Sequence, residues 1–241
     1  VRNVVFMAGR KFGTSGTEPD TWAMNVIVPA YVGERFRENR FVAFSTLCVY
    51  PFADVSGPGS REDAVLNPLG EYANSCIGRE RVFQYYSART ASPGRLARLN
   101  YAIDLRYGVL HDIGRKVFLG EPIDIRTAVA NVIWQGESTA HILRCLRHGS
   151  IPATPINIGM KTPANVRAVA EAFGMAFGKT PVFEGAEQPT AWHNNTSEAE
   201  NLFGPTIISL ETMVKWNADW IACGMPSHNK PTHYEERAGQ F

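Results

Sequence analysis

The chain has 241 residues, of which 44% are hydrophobic and 20% charged, and its formal net charge is +1. This is the balance of an ordinary globular protein, long enough for one sizeable domain or a domain with a smaller lobe. Near-neutrality gives no electrostatic reason to expect nucleic acid, an acidic polymer or a membrane surface as partner, and no apolar run reaches the length of a bilayer span.

In chain order, Val4-Val5-Phe6-Met7-Ala8-Gly9 reads as a fully buried strand ending in a tight glycine turn. Val1 is not an initiator methionine and a chain seldom opens directly on a core strand, so the expectation is that a segment has been cut off ahead of this strand; the opening residues carry no secretory n-region, h-region and cleavage site. A Gly/Thr/Ser-rich loop through Pro19 leads to a helix expected over 20–38, kinked or interrupted near Pro29. Phe41-Val42-Ala43-Phe44 is a second buried strand, running into Ser45-Thr46. A loop over 53–68, rich in Gly, Pro, Ser and Asp, precedes a helix over 70–89 and a third strand over 96–102. Strands alternating with helices of this length predict βαβ units, a parallel sheet and the α/β class.

The second half is less regular. Residues 112–125 read as short extended pieces, and strands are expected over 131–134 and 155–158, with a helix over 138–147. Amphipathic helices are expected over 163–178 and 206–224, the latter ended by Gly224 and Pro226. The tail over 230–241 is polar and reads as a surface arm. Cys48, Cys76, Cys145 and Cys223 are widely spaced, in apolar contexts and without CxxC spacing, which fits a reducing cytoplasm better than a disulfide framework. His193, His228 and His233 lack ligand spacing, so no metal site is expected. Asn194-Asn195-Thr196 matches a glycosylation sequon and reads as a chance polar loop.

Three features could carry chemistry. Ser45-Thr46 closes a buried strand, where parallel sheets bind ligands. Tyr72 stands near the start of the next helix and can face that hydroxyl across the crevice, and Arg98-Leu99-Asn100 follows on the third strand. With Val49-Tyr50 after the hydroxyls and Tyr72-x-x-x-Cys76 on the helix, this ordered set resembles the extended short-chain dehydrogenase/reductases (NAD-dependent epimerases and dehydratases), which carry Ser/Thr before Val-Tyr-Gly, then Tyr-x-x-x-Lys, then Arg-x-x-Asn. Ala8-Gly9 resembles the end of that family's fourth strand, Asn25 the asparagine of its next helix, Trp134-Gln135-Gly136-Glu137 a later helix start, and Ile156-Asn157-Ile158-Gly159 a later strand. The resemblance spans residues 4–178.

The resemblance implies a doubly wound, Rossmann-like parallel sheet lacking its N-terminal strands, with residues 1–110 as a partial dinucleotide-binding core. Residues 111–241 would form a substrate lobe, with a segment at about 138–158 returning to the core. It makes Tyr72 the general acid/base, with Thr46 hydrogen-bonding the same substrate oxygen and Ser45 beside it. Ala8, Gly9, Asn25 and Tyr72 would contact NAD or NADP, and Asn100 and Arg106 the substrate, a nucleotide sugar or similar polyhydroxylated molecule. A homodimer through the Tyr72 helix would be in keeping with the family.

The sequence departs from the family in three places. No G-x-x-G-x-x-G turn is present; Gly9-Arg10-Lys11-Phe12-Gly13 has the wrong spacing. Leu47 and Cys48 stand where sugar 4,6-dehydratases place an acid pair, which favours an epimerase or reductase. The motif lysine is Cys76, and a neutral thiol does nothing to acidify a tyrosine. Arg79, two turns from Tyr72, reads as too distant to substitute, while Lys11 is a candidate from the neighbouring loop. Bland readings stand beside these: Tyr72 as a helix-face tyrosine, Thr46 as a strand-end hydroxyl, Asn100 as a turn former, Arg106 as a surface residue, Cys76 as a small buried apolar group. The rival function is a non-catalytic relative that keeps the fold to bind a nucleotide or a protein partner.

Overall fold

The computed structural model describes residues 2–11 and 16–240. The chain opens with β1 (Asn3–Phe6), α1 (Glu18–Trp22), a π-helical stretch (Ala23–Ile27), α2 (Val28–Arg35) and β2 (Arg40–Thr46). A 3-10 turn (Leu47–Val49) and β3 (Ala53–Asp54) lead to the long α3 (Gly70–Thr90), then β4 (Gly94–Leu99), β5 (Tyr101–Ile103) and α4 (Val109–Leu119). There follow β6 (Pro122–Asp124), β7 (Val129–Ala130), β8 (Val132–Trp134), α5 (Gln135–Cys145), β9 (Thr154–Ile158), β10 (Ala164–Asn165) and α6 (Val166–Phe177). The last elements are β11 (Val182–Glu184), β12 (Thr190–Ala191), α7 (Ser197–Phe203) and α8 (Leu210–Ala222).

Four parallel strands make the main sheet, in the order β1-β2-β4-β9. Side chains alternate across it as the pleat requires. Phe41, Ala43 and Leu96 pack with Phe83 of α3 on one face, whereas Val42 and Ala97 pack with Ile142 and Cys145 of α5 on the other. Helices on both faces of a parallel sheet make this a doubly wound α/β fold. A second core joins α4, α6 and α8 around Leu110, Ile113, Phe173 and Met213.

Several sequence expectations need correction. β1 is an edge strand: Val4 and Val5 are only half-buried and Met7 is exposed, so the run is not fully buried. The interruption expected near Pro29 takes the form of a π-helical turn just before it; proline has no N–H for the carbonyl four residues back, and the wider turn absorbs the mismatch. Residues 109–119 are helical rather than extended. Gly114 concealed this, but a Cβ there would lie 2.8 Å from Ile221 and 2.9 Å from Phe173, so the glycine lets three helices meet. The third strand breaks at Asn100, where the chain leaves β9 and continues, as β5, beside β8. The tail is not a surface arm, because Thr232 and Tyr234 are buried, Tyr234 inside the second core. The Asn194 loop is buried as well, bonded to Asn100 and Asn131. Cys223 is exposed, unlike the other three cysteines. The glycine-containing loop read at 9–13 and the Gly/Thr/Ser-rich stretch before Pro19 fall partly on 12–15, outside the described residues.

Candidate active site

The carboxyl ends of β1, β2 and β4 surround a cavity of about 280 Å³. Met7, Gly9 and Lys11 reach it from the loop after β1, Ser45, Thr46 and Cys48 from the end of β2, Tyr72 and Arg79 from α3, and Asn100 and Tyr101 from the break between β4 and β5. Crevices at the carboxyl ends of parallel strands are where open α/β sheets hold ligands.

The position of α3 is fixed by a buried ionic network. Arg98 of β4 donates through Nε and Nη2 to the two carboxylate oxygens of Glu80, at 2.9 and 2.8 Å. The two side chains are 3% and 1% exposed. Ser45 donates to the same carboxylate at 2.6 Å. The remaining face of the guanidinium donates to the Tyr50 hydroxyl at 2.7 Å, and that hydroxyl donates to Asn157 at 2.8 Å. Helix, central strands and β9 are thus pinned together beneath the cavity, and Ser45 is spent on this network.

Thr46 is buried, and its hydroxyl caps the following turn by accepting from the Cys48 amide at 3.3 Å. Tyr72 lines the same cavity and packs against Cys76. Burial holds the Tyr72 phenol well above its ordinary range; the charge of Arg79 and the neighbouring Thr46 hydroxyl act in the opposite sense. Burial likewise pushes the Cys76 thiol up to about 11 and raises that of Cys48, so both are neutral at physiological pH. Lys11 lies across the cavity with its ammonium 6.0 Å from the centroid of the Tyr72 ring and 5.6 Å from that of Tyr101. Its pKa is lowered by burial.

Gly9 lines the cavity and packs against Arg79, whereas Ala8 is exposed and does not reach it. Asn25, fully buried in the π-helical turn, lies behind the wall. It accepts from the Arg10 amide at 2.8 Å and donates to Ser75 at 2.8 Å and to the Arg10 carbonyl at 2.9 Å. Asn100 donates to Asn194 at 2.8 Å. Arg106 stands apart: half-exposed, it forks onto Asp104 at 3.0 Å. Arg79, dismissed by its spacing, is the residue that sequence reasoning placed worst. A seven-residue step puts its Cα far from Tyr72, but the extended side chain runs back into the cavity wall. Among the described residues, no group of three His, Cys, Asp or Glu could hold a metal ion, and no helix is long and apolar enough to cross a membrane.

No family profile and no curated protein matches the chain. Solved structures do match, at low identity. UDP-glucuronic acid 4-epimerase from Bacillus cereus, in complex with UDP-glucuronic acid and NAD, superposes with a TM-score of 0.77 at 18% identity, covering 92% of this chain and 76% of that one. UDP-glucose 4-epimerase from Thermotoga maritima, with UDP-glucose, gives 0.75 at 14% identity, with 92% and 78% covered. The dTDP-glucose 4,6-dehydratase from Bacillus anthracis, with NAD, gives 0.76 at 17%, with 92% and 73% covered. The likeness is one of fold: this chain has the α/β architecture of those enzymes.

Proposed function

We propose that this protein is an NAD(P)-dependent epimerase or reductase of the extended short-chain dehydrogenase type, acting on a nucleotide sugar or a similar polyhydroxylated substrate. The observation that carries the proposal is that the Thr46 and Tyr72 side chains line one cavity at the carboxyl ends of the parallel strands. Three structural neighbours with this fold are nucleotide-sugar enzymes, two of them solved with NAD.

In this reading residues 1–110 hold the cofactor and 111–241 form the substrate lobe, with α5 and β9 packed back on the sheet. The residues present suit the reactive half of a dinucleotide. Gly9 lines the cavity wall and lets the Arg79 guanidinium approach the backbone there, and the buried Nε of Arg79 lacks a hydrogen-bond partner among the described residues. A bound nicotinamide would supply the hydride acceptor or donor. Thr46 orients the reacting substrate oxygen, and Tyr72 takes its proton during oxidation and returns one during reduction. Asn100, at the cavity's far wall, is placed to meet substrate hydroxyls; Arg106, held by Asp104 outside the cavity, is a weaker candidate for that role. The three buried free thiols accord with a cytoplasmic location, and the exposed flank of α3 leaves room for a homodimer.

Fluorescence titration with NADH and NADPH, followed by incubation with UDP-hexoses and product chromatography, tests the proposal. Saturable binding of one nucleotide and turnover abolished by Tyr72→Phe are expected. Folded protein that binds neither nucleotide at millimolar concentration refutes it. The neutral Cys76 thiol favours one second reading, a fold-retaining relative that binds without turnover. That reading predicts nucleotide binding, no product, and no loss on Tyr72→Phe.

A further inference from the structure

A guanidinium lines the same cavity as Tyr72 even though position 76 carries no cation. Arg79 is 4% exposed, and its guanidinium is gripped from two sides. Nη1 donates to the Phe44 carbonyl at the end of β2, at 3.0 Å, and Nη2 donates to the side-chain oxygen of Asn25. The loop after β1 is shaped around it, since a Cβ on Gly9 would fall 2.5 Å from Nη2. The guanidinium forms part of the cavity wall alongside Tyr72 and Thr46. Its Nε is buried with no hydrogen-bond partner among the described residues. Residues 72, 76 and 79 fall on one helix face, so the short, fully buried Cys76 leaves the space between tyrosine and arginine clear of a long side chain.

Building on the function proposed above, we infer that Arg79 is the positioning residue for Tyr72 and supplies from one turn further along α3 the positive charge that the family motif places at position 76. When Tyr72 gives its proton to the substrate oxygen, the phenolate left behind is held by that charge; on the return step the proton comes back and the charge is again balanced by Asn25 and Phe44 dipoles. Arginine suits such a buried post because a guanidinium stays protonated where desolvation strips an ammonium. Lys11 faces the same cavity, but burial acts against its charge.

Among the described residues, the titratable and charged groups around Tyr72 include Cys76 and Arg79 from its own helix, Cys48 from the turn after β2, Lys11 from the loop after β1, and Tyr101 and Tyr107 in the same cavity wall, with Lys230 acting on Lys11. Replacing Tyr72 with a fluorinated tyrosine, whose phenol is several units more acidic, brings its titration into a measurable range. Absorbance or 19F NMR then reads the midpoint with no cofactor or substrate. Arg79→Met is expected to raise the midpoint by about one pH unit or more, and adding Cys76→Lys to that variant to bring most of it back. Should Arg79→Met not fold, Arg79→Gln, which keeps donors for Phe44 and Asn25 without the charge, carries the same expectation. In turnover, kcat/KM of Arg79→Met falls at least about 100-fold at pH 7, and its acid limb moves to higher pH. A midpoint indifferent to Arg79 and raised by Lys11→Met overturns the inference. A protein with the Arg79-dependent midpoint that binds no nicotinamide nucleotide refutes the enzymatic reading alone.

Discussion

Removing the Glu80 carboxylate leaves an arginine stranded in the interior. Glu80→Ala deletes both acceptors of the Arg98 fork and the acceptor of Ser45, while Arg98, 3% exposed, keeps only the Tyr50 hydroxyl and the Glu62 carbonyl. Breaking a buried pair by deleting one partner costs about 3–5 kcal/mol, and the orphaned serine hydroxyl adds about 1. That is a large part of a typical stability of about 5–15 kcal/mol. Taking about 3 kcal/mol per molar for the urea dependence, the unfolding midpoint should fall by roughly 1.5 M with an unchanged slope. Because the pair is shielded from solvent, the loss should be the same at about 0.1 M and 1 M salt. The double variant Glu80→Ala/Arg98→Met should recover more than half of it, since no uncompensated charge remains. A loss below about 1 kcal/mol, or a double variant weaker than Glu80→Ala alone, would refute the claim that this network anchors α3.

Three other outcomes are expected. Iodoacetamide at pH 8 should label Cys223 and spare Cys48, Cys76 and Cys145, whose thiols are buried and raised in pKa; all four should react in denaturant, as peptide mass spectrometry would show. Tyr234→Ala should lower stability by about 3–5 kcal/mol, as for other large aromatic truncations, whereas Tyr234→Phe should be at least as stable as the parent by calorimetry, because the buried hydroxyl has no partner among the described residues. Gly159→Ala would place its Cβ 2.0 Å from the Asn100 amide and should cost about 1–3 kcal/mol, with Asn100 displaced from Asn194 in a crystal structure.

The parts of the fold that were readable share a physical cause. β2 holds the apolar run Phe41–Phe44 because both of its faces are covered, β4 and β9 place apolar residues around a few polar ones, and α3 and α6 show helical spacing over several turns. Local pattern therefore carries them. What it does not carry is burial conferred by distant partners. Tyr234 stands alone among polar residues and gains its core position from α4 and α6. α7 spans only Ser197–Phe203, too short for a period to register. Helix α4 was obscured by a glycine whose purpose is a three-helix crossing. In the candidate site, Tyr72 and Thr46 were legible from their order along the chain. Arg79 was not, because residue spacing measures Cα positions and takes no account of how far a side chain reaches back.

The strand break at Asn100 bears on how a ligand enters. β4 belongs to the main sheet and β5 pairs with β8, yet only Asn100 separates them. Its amide is bonded to Ile158 and the next amide to Asn131, so the junction is clamped on both sides. There is no hinge here. The far wall of the cavity is one taut strand, and moving it would cost backbone hydrogen bonds rather than loop rotations. The register of the far wall against both sheets is thereby set when the chain folds.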